Sequence, residues 1–148
     1  MRWTPHVTVA AMVERHGTLL LVEEAIQGRL VLNQPAGHWE EGESLIEGVQ
    51  REVLEETGYA FQAESLVGIY RWAVPDRNFT YLRFAFAGTV SAEPVRDTLD
   101  HNILRALWLT PEELAAEAER LRSPMVLRCL QDYLAGQRFP LGLLNDVL

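Results

Sequence analysis

Several things that define protein classes are scarce in this sequence. It holds a single cysteine, Cys129, among 148 residues. One thiol cannot close an internal disulfide, so a reducing compartment, the cytoplasm, is expected. Basic residues are few: 13 Lys and Arg stand against 21 Asp and Glu, a formal charge of −8. That deficit excludes a partner gripped through many phosphates, such as long DNA or RNA, which needs a basic footprint. No window approaches the roughly 18 consecutive apolar residues of a membrane span. Met1-Arg2-Trp3-Thr4-Pro5-His6 lacks the apolar core of a secretion signal. Glycine and proline number 10 and 7, with no repeat or low-complexity tract, so collagen-like and disordered readings fail. What is present suits a globular fold: 48% hydrophobic and 23% charged residues. A chain of this length buries one sizeable core, and a single domain over 1–148 is expected, with no membrane contact.

Local patterns give an order of elements. Pro5 to Val13 and Leu19 to Val22 are β-prone and flank Arg15-His16-Gly17-Thr18, a hairpin signature. Leu30-Val31-Leu32 is too short to assign, and Asn33 to Gly42 reads as loop. Ser44 to Thr57 is the clearest helix: Ser44 and Glu47 form a capping-box pair, and Gly58 stands at the C-terminal glycine position. Leu45, Ile46, Val49 and Val53 make its core stripe, with Glu52, Glu55 and Glu56 on the adjoining arc. Ser65 to Val74 and Phe79 to Val90 read as strands around Pro75-Asp76-Arg77-Asn78. In the second, Leu82, Phe84 and Phe86 alternate with Tyr81, Arg83 and Ala85, so one face is buried and the other lines a cleft. A polar stretch, Ser91 to Asn102, precedes a short strand near Ala106 to Leu109. Thr110-Pro111 opens a helix to about Leu121, and Ser123-Pro124 another to about Leu134, ended by Gly136. The order predicts an α/β chain of the α+β kind, a mixed β-sheet core sandwiched by helices.

The chemistry concentrates between Gly37 and Tyr59. Three carboxylates within about 100° of one helix face repel one another, a poor choice for a purely structural helix. Divalent cations resolve the conflict, because hard cations want oxygen ligands and Mg²⁺ takes one or two carboxylates plus waters and substrate phosphate. Arg51 lies one turn before Glu55 and opposite the loop bearing Glu43, as a residue that holds carboxylates in place would. A solvated acidic face is the plain alternative for the cluster.

The stretch resembles the Nudix box, G-x(5)-E-x(7)-R-E-U-x-E-E-x-G-U, with U a bulky aliphatic residue. Gly37, Glu43, Arg51, Glu52, Glu55, Glu56 and Gly58 occupy all its fixed positions. A chance match at a given start is on the order of 10⁻⁸ at about 7% per residue type. Val53 fills the first U; Tyr59, at the last, is bulky but not aliphatic. The resemblance implies the Nudix fold and hydrolysis of phosphoanhydrides in nucleoside diphosphates linked to another moiety, or in simpler organic diphosphates. It implies Mg²⁺, with Mn²⁺ an alternative, held by Glu52, Glu55, Glu56 and the Gly37 carbonyl, and a supporting Glu43–Arg51 pair. For the catalytic base the resemblance implies Glu52 or an acid outside the box, with Asp100 the stronger candidate and Asp97 the next.

Further segments narrow the resemblance: Pro5 to Ala10, Val22-Glu23-Glu24, Asn33 to His38, Arg122-Ser123-Pro124 and Gly136 to Leu141. They are similar to one bacterial branch of the family, which implies a low-specificity phosphatase of nucleoside tri- and diphosphates and of thiamine-type pyrimidine diphosphates. Leu32 departs from that branch, which tends to carry Trp there. Tyr70, Trp72 and Tyr81 are candidates to stack a substrate ring, and Arg83 and His38 to meet phosphate; ordinary sheet packing or a surface loop is the bland reading for each. Cys129 and Trp108 are expected in the core. Two other functions are carried as rivals: cleavage at RNA 5′ ends, and a non-catalytic binding module of the same fold. A small phosphorylated substrate and a monomer or homodimer complete the expectation.

Overall fold

The structure, a computed structural model, describes residues 2–148, so Met1 lies outside it. Seven strands and three helices follow in the order β1 (His6–Arg15), β2 (Thr18–Ile26), β3 (Arg29–Asn33), β4 (Ala36–His38), α1 (Leu45–Thr57), β5 (Phe61–Ala73), β6 (Thr80–Val90), β7 (Ile103–Leu109), α2 (Pro111–Ala116) and α3 (Pro124–Leu134). The strands form one mixed sheet in the order β3-β2-β1-β6-β5, with β4 on β1 and β7 on β2. Among the described strands only β1 and β6 pair in parallel. The β1–β2 hairpin pairs only next to its turn, at Glu14↔Leu19 and Arg15↔Thr18. Beyond that the strands part: β1 takes β4 as its neighbour and β2 takes β3 and β7. A gap opens between the two halves of the sheet, and the site forms around it.

Strand alternation sorts the apolar residues onto two faces. Val9, Ala11, Val13, Leu20 and Phe86 pack with Val49 and Val53 of α1. The intervening Met12, Leu19, Leu21, Ala85 and Ala87 pack with Leu114 of α2 and Met125, Cys129 and Leu130 of α3. Both valines of α1 are fully buried, each contributing about 1.5–3 kcal/mol. Cys129 lies in the core as expected. Trp108, expected in the core as well, is only half-buried against the other layer, edge-on to Tyr59 and under the Arg15 guanidinium. Among the described residues no helix is long and apolar enough to cross a membrane.

Three local expectations change. The loop over Asn33 to Gly42 contains β4, whose three residues pair with Thr8, Val9 and Ala10; an edge pairing this short leaves no periodicity to read. The helix opened by Thr110 ends at Ala116 rather than Leu121 and passes into a 3-10 turn, Ala118–Arg120. Arg120 is drawn to the buried Glu23 at 2.9 Å, and Leu121 bridges to Leu32, which turns the chain back to the sheet. The alternation in β6 marks two covered faces along most of its length; only Tyr81 and Arg83, near its start, line a cleft.

α1 is fixed at both ends. Ser44 Oγ accepts from the Glu47 N–H at 3.0 Å and Glu47 Oε1 from the Ser44 N–H at 2.8 Å. Gly58 adopts φ +80° and donates to the Leu54 carbonyl. The Arg96 carbonyl occupies the space a Cβ on Gly58 would need, and Val95 donates back to Gly58 at 2.8 Å. Ser44→Ala should lower stability by about 1 kcal/mol. Gly58→Ala should cost about 2 kcal/mol or more, adding a left-handed residue to a backbone clash. Urea unfolding of both variants checks the order; an equal or smaller loss for Gly58→Ala would contradict it.

Candidate active site

Four acidic side chains converge from two elements. α1 brings Glu52, Glu55 and Glu56 to the edge of the gap, and the long connection before β7 brings Asp100. The Asp100 N–H donates to the Glu55 carbonyl at 2.8 Å, which hangs the loop on the end of the helix. Carboxylate oxygens of Glu52, Glu55 and Asp100 lie within 4.8 Å of one another. Glu56 points further inward and accepts from the Ala36 N–H of β4 at 2.9 Å. Gly37 follows Ala36, and a Cβ there would overlap the Glu52 carboxylate and push it from its place in the cluster.

Arg51 ties this arrangement together. Its Nε and Nη2 bond both Glu43 oxygens at 2.9 and 2.7 Å, a two-point grip, and Nη1 reaches Glu52 at 2.7 Å and Glu55 at 3.3 Å. Nη2 also donates to the His38 carbonyl at 3.1 Å. The expected Glu43–Arg51 pair is thus formed, and it spans loop and helix. Arg51 in turn holds the Glu43 carboxyl below its ordinary value, while Glu43 and Glu52 push the guanidinium further up.

Glu52 and Glu56 go the other way. Burial raises both, Glu56 to about 9. Arg51 partly relieves Glu52, whereas Glu56 has only a backbone N–H. Clustered oxygen donors with too little positive charge beside them fit a hard divalent cation, which supplies the missing charge through oxygen ligands.

A cavity of about 880 Å³ opens beside the cluster, and Glu56, Gly37 and Asp100 form one part of its wall. Trp72 and Tyr81 form another, stacked at 5.8 Å and 9°. His38 lines the entrance, edge-on to His6, and burial lowers its pKa. Arg83 reaches the cavity but is 4% exposed and bonded to Gln34 at 2.6 Å, a buried cation rather than a surface one. Tyr70 is elsewhere: it packs in the core under α3, its hydroxyl donating to Asp132 at 2.8 Å. Asp97 is exposed and does not line the cavity.

Sequence reasoning missed several wall residues. Glu24 is buried there and paired with Arg122 at 2.5 Å. Thr8, Asn33 and Phe79 line it as well. A signal was available, since Thr8, Glu24, Asn33 and Arg122 all belong to the segments shared with the bacterial branch. Their spacing along the chain gave no reason to bring them together.

With fold and site in view, residues 3–129 match the NUDIX domain family, and the chain belongs to that family. It is a hydrolase of phosphoanhydride bonds. Phosphatase NudJ of Escherichia coli (strain K12) is 41% identical over 144 residues, covering 96% of this chain and 92% of that protein. A NUDIX hydrolase from Nitrosomonas europaea shares 47% identity at a TM-score of 0.93, over 97% and 98% of the two chains. The NUDIX domain of Shewanella oneidensis NrtR, complexed with ADP ribose, has a TM-score of 0.73 at 15% identity over 91% and 90%, a likeness of fold alone.

The raised Glu56 has a consequence for cation-free protein. The native state keeps a proton that the unfolded chain releases near 4.5, so stability falls as pH climbs from about 4.5 to about 9. Glu43 acts in the opposite sense, its contribution present above the unfolded value and lost as pH falls through its lowered one. Glu56→Gln should therefore raise the Tm in chelator, by a margin that grows between about pH 5 and pH 9. A margin independent of pH would contradict the assignment.

Proposed function

We propose that the chain is a divalent-cation-dependent phosphatase of small organic diphosphates, nucleoside di- and triphosphates and thiamine-type pyrimidine diphosphates. The observation that carries this reading is one cavity with Glu56 and Asp100 on one wall, the acidic cluster beside them, and stacked aromatics on another. The 41% identity to phosphatase NudJ supports the phosphatase choice. Glu52, Glu55 and Glu56 would hold Mg²⁺ or Mn²⁺ together with the Gly37 carbonyl. When bound, the cation neutralises phosphate oxygens and makes water more acidic. Arg51 and Glu43 orient the ligands by fixing the loop to the helix. Asp100 would take the proton from the attacking water; among the described residues its carboxylate accepts no hydrogen bond, and its backbone bond to Glu55 keeps it beside the ligand carboxylates. His38 meets the phosphate end, and Trp72 and Tyr81 stack the ring. A buried lone thiol, Cys129, supports the cytoplasmic setting.

The protein with Mg²⁺ would be offered nucleotides, sugar nucleotides, thiamine-related diphosphates and 5′-triphosphate RNA. Orthophosphate released from nucleoside triphosphates is expected; pyrophosphate plus monophosphate would refute the phosphatase reading. Activity on the RNA alone would favour 5′-end cleavage, and no turnover of any compound a binding module. Chelator should abolish activity, and Glu56→Gln should lower kcat/KM by about 100-fold or more.

A further inference from the structure

Among the described residues, two buried side-chain atoms lack a hydrogen-bond partner, Thr8 Oγ1 and Arg83 Nε. They belong to adjacent residues. Thr8 and Arg83 are register partners on the parallel strands β1 and β6. Both are more than nine-tenths buried, at 6% and 4% exposure, and both line the cavity. Buried polar groups are nearly always paired, because leaving one unmade forfeits its hydration with no return. Two orphans side by side on a cavity wall point to a ligand that pairs them.

Both terminal nitrogens of the guanidinium already have a partner. Nη1 donates to Gln34 Oε1 at 2.6 Å and Nη2 to Asn33 Oδ1 at 3.4 Å. Gln34 cannot turn away, since its Nε2 donates to the Val126 carbonyl at 3.0 Å. This fixes Arg83 with its Nε unpaired. The two unpaired atoms at this corner are one N–H and one hydroxyl, and together they suit a single acceptor atom. Tyr81, two residues before Arg83 on the same face of β6, stacks with Trp72 along the same cavity.

We infer that Thr8 Oγ1 and Arg83 Nε form the polar end of a ring subsite, binding a carbonyl oxygen or unprotonated ring nitrogen on a heteroaromatic ring of the substrate. The assignment rests on the proposed function and names what that site recognises on the ring. Arg83 is thereby a reader of the ring rather than a phosphate contact. A substrate with no such acceptor gains nothing from this corner, so the pair would set specificity.

Thr8→Val keeps the shape and removes the hydroxyl. Calorimetry with Mg²⁺ present would compare uridine monophosphate, inorganic pyrophosphate and benzyl phosphate, whose ring has no acceptor. Thr8→Val should weaken the nucleotide about tenfold, the loss of roughly one hydrogen bond. It should leave pyrophosphate and benzyl phosphate within about twofold, and Thr8→Ser should restore nucleotide binding. The Tm of Thr8→Val should rise by a few degrees, because an unpaired buried hydroxyl is gone. Equal weakening of all three ligands, unchanged nucleotide binding, or wild-type protein that binds pyrophosphate but not the nucleotide would each overturn the subsite. The hydrolase reading fails separately, by absence of turnover, and leaves these binding measurements standing.

Discussion

A single guanidinium carries the acidic face of α1. Arg51 bonds Glu43 at two points and Glu52 and Glu55 at one each, and without it these carboxylates would face one another across a few ångströms. Charge-assisted pairs of this geometry are about twice as strong as neutral hydrogen bonds and far more directional. The grip also reaches the His38 carbonyl, so the same residue fixes the strand that carries Gly37. The choice of arginine recurs: all 13 basic residues are arginine, and none is lysine. A planar fork that never deprotonates suits a chain whose buried acids need two-point partners.

The acids divide into two populations by what surrounds them. Glu23 and Glu43 are met by arginines, and their pKa values fall. Glu52 and Glu56 are buried with too little positive charge nearby, and theirs rise. The first group fastens the structure: Glu23 holds Arg105 and Arg120, and Glu24, likewise buried, holds Arg122. The second lies at the cavity and leaves a local deficit of positive charge that the fold does not fill. Proximity in sequence does not decide membership, for Glu43 and Glu52 share one arginine and still shift in opposite directions.

How much was legible in the sequence follows from how local each determinant is. The capped helix Ser44 to Gly58 and its apolar stripe were readable because every signal lies within one element. The box residues were readable because a helix fixes their relative directions. Asp100 could be ranked only by its nearness to the Trp108 strand, since its position depends on a hydrogen bond to the Glu55 carbonyl. Tyr70 and Tyr81 looked alike as strand aromatics, yet α3 covers the first and leaves the second beside the cavity. The strand β4 and the Thr8–Arg83 pair were invisible, because both arise from which strands become neighbours.

The parallel pairing of β1 with β6 bears on when the site can exist. It joins residues about 75 positions apart, such as His6 and Tyr81, and long-range parallel contacts form slowly because the loop must close before it is rewarded. On the ribosome, the helix with its acidic cluster emerges before β5 and β6, and Asp100 emerges after them. Until the late strands arrive, β1, the partner of β4, lacks its other neighbour. The nascent chain thus carries the complete sequence motif for some time with no enclosed pocket beside it. Hydrolytic competence would arrive in one late step, when β6 and the loop behind it close the wall.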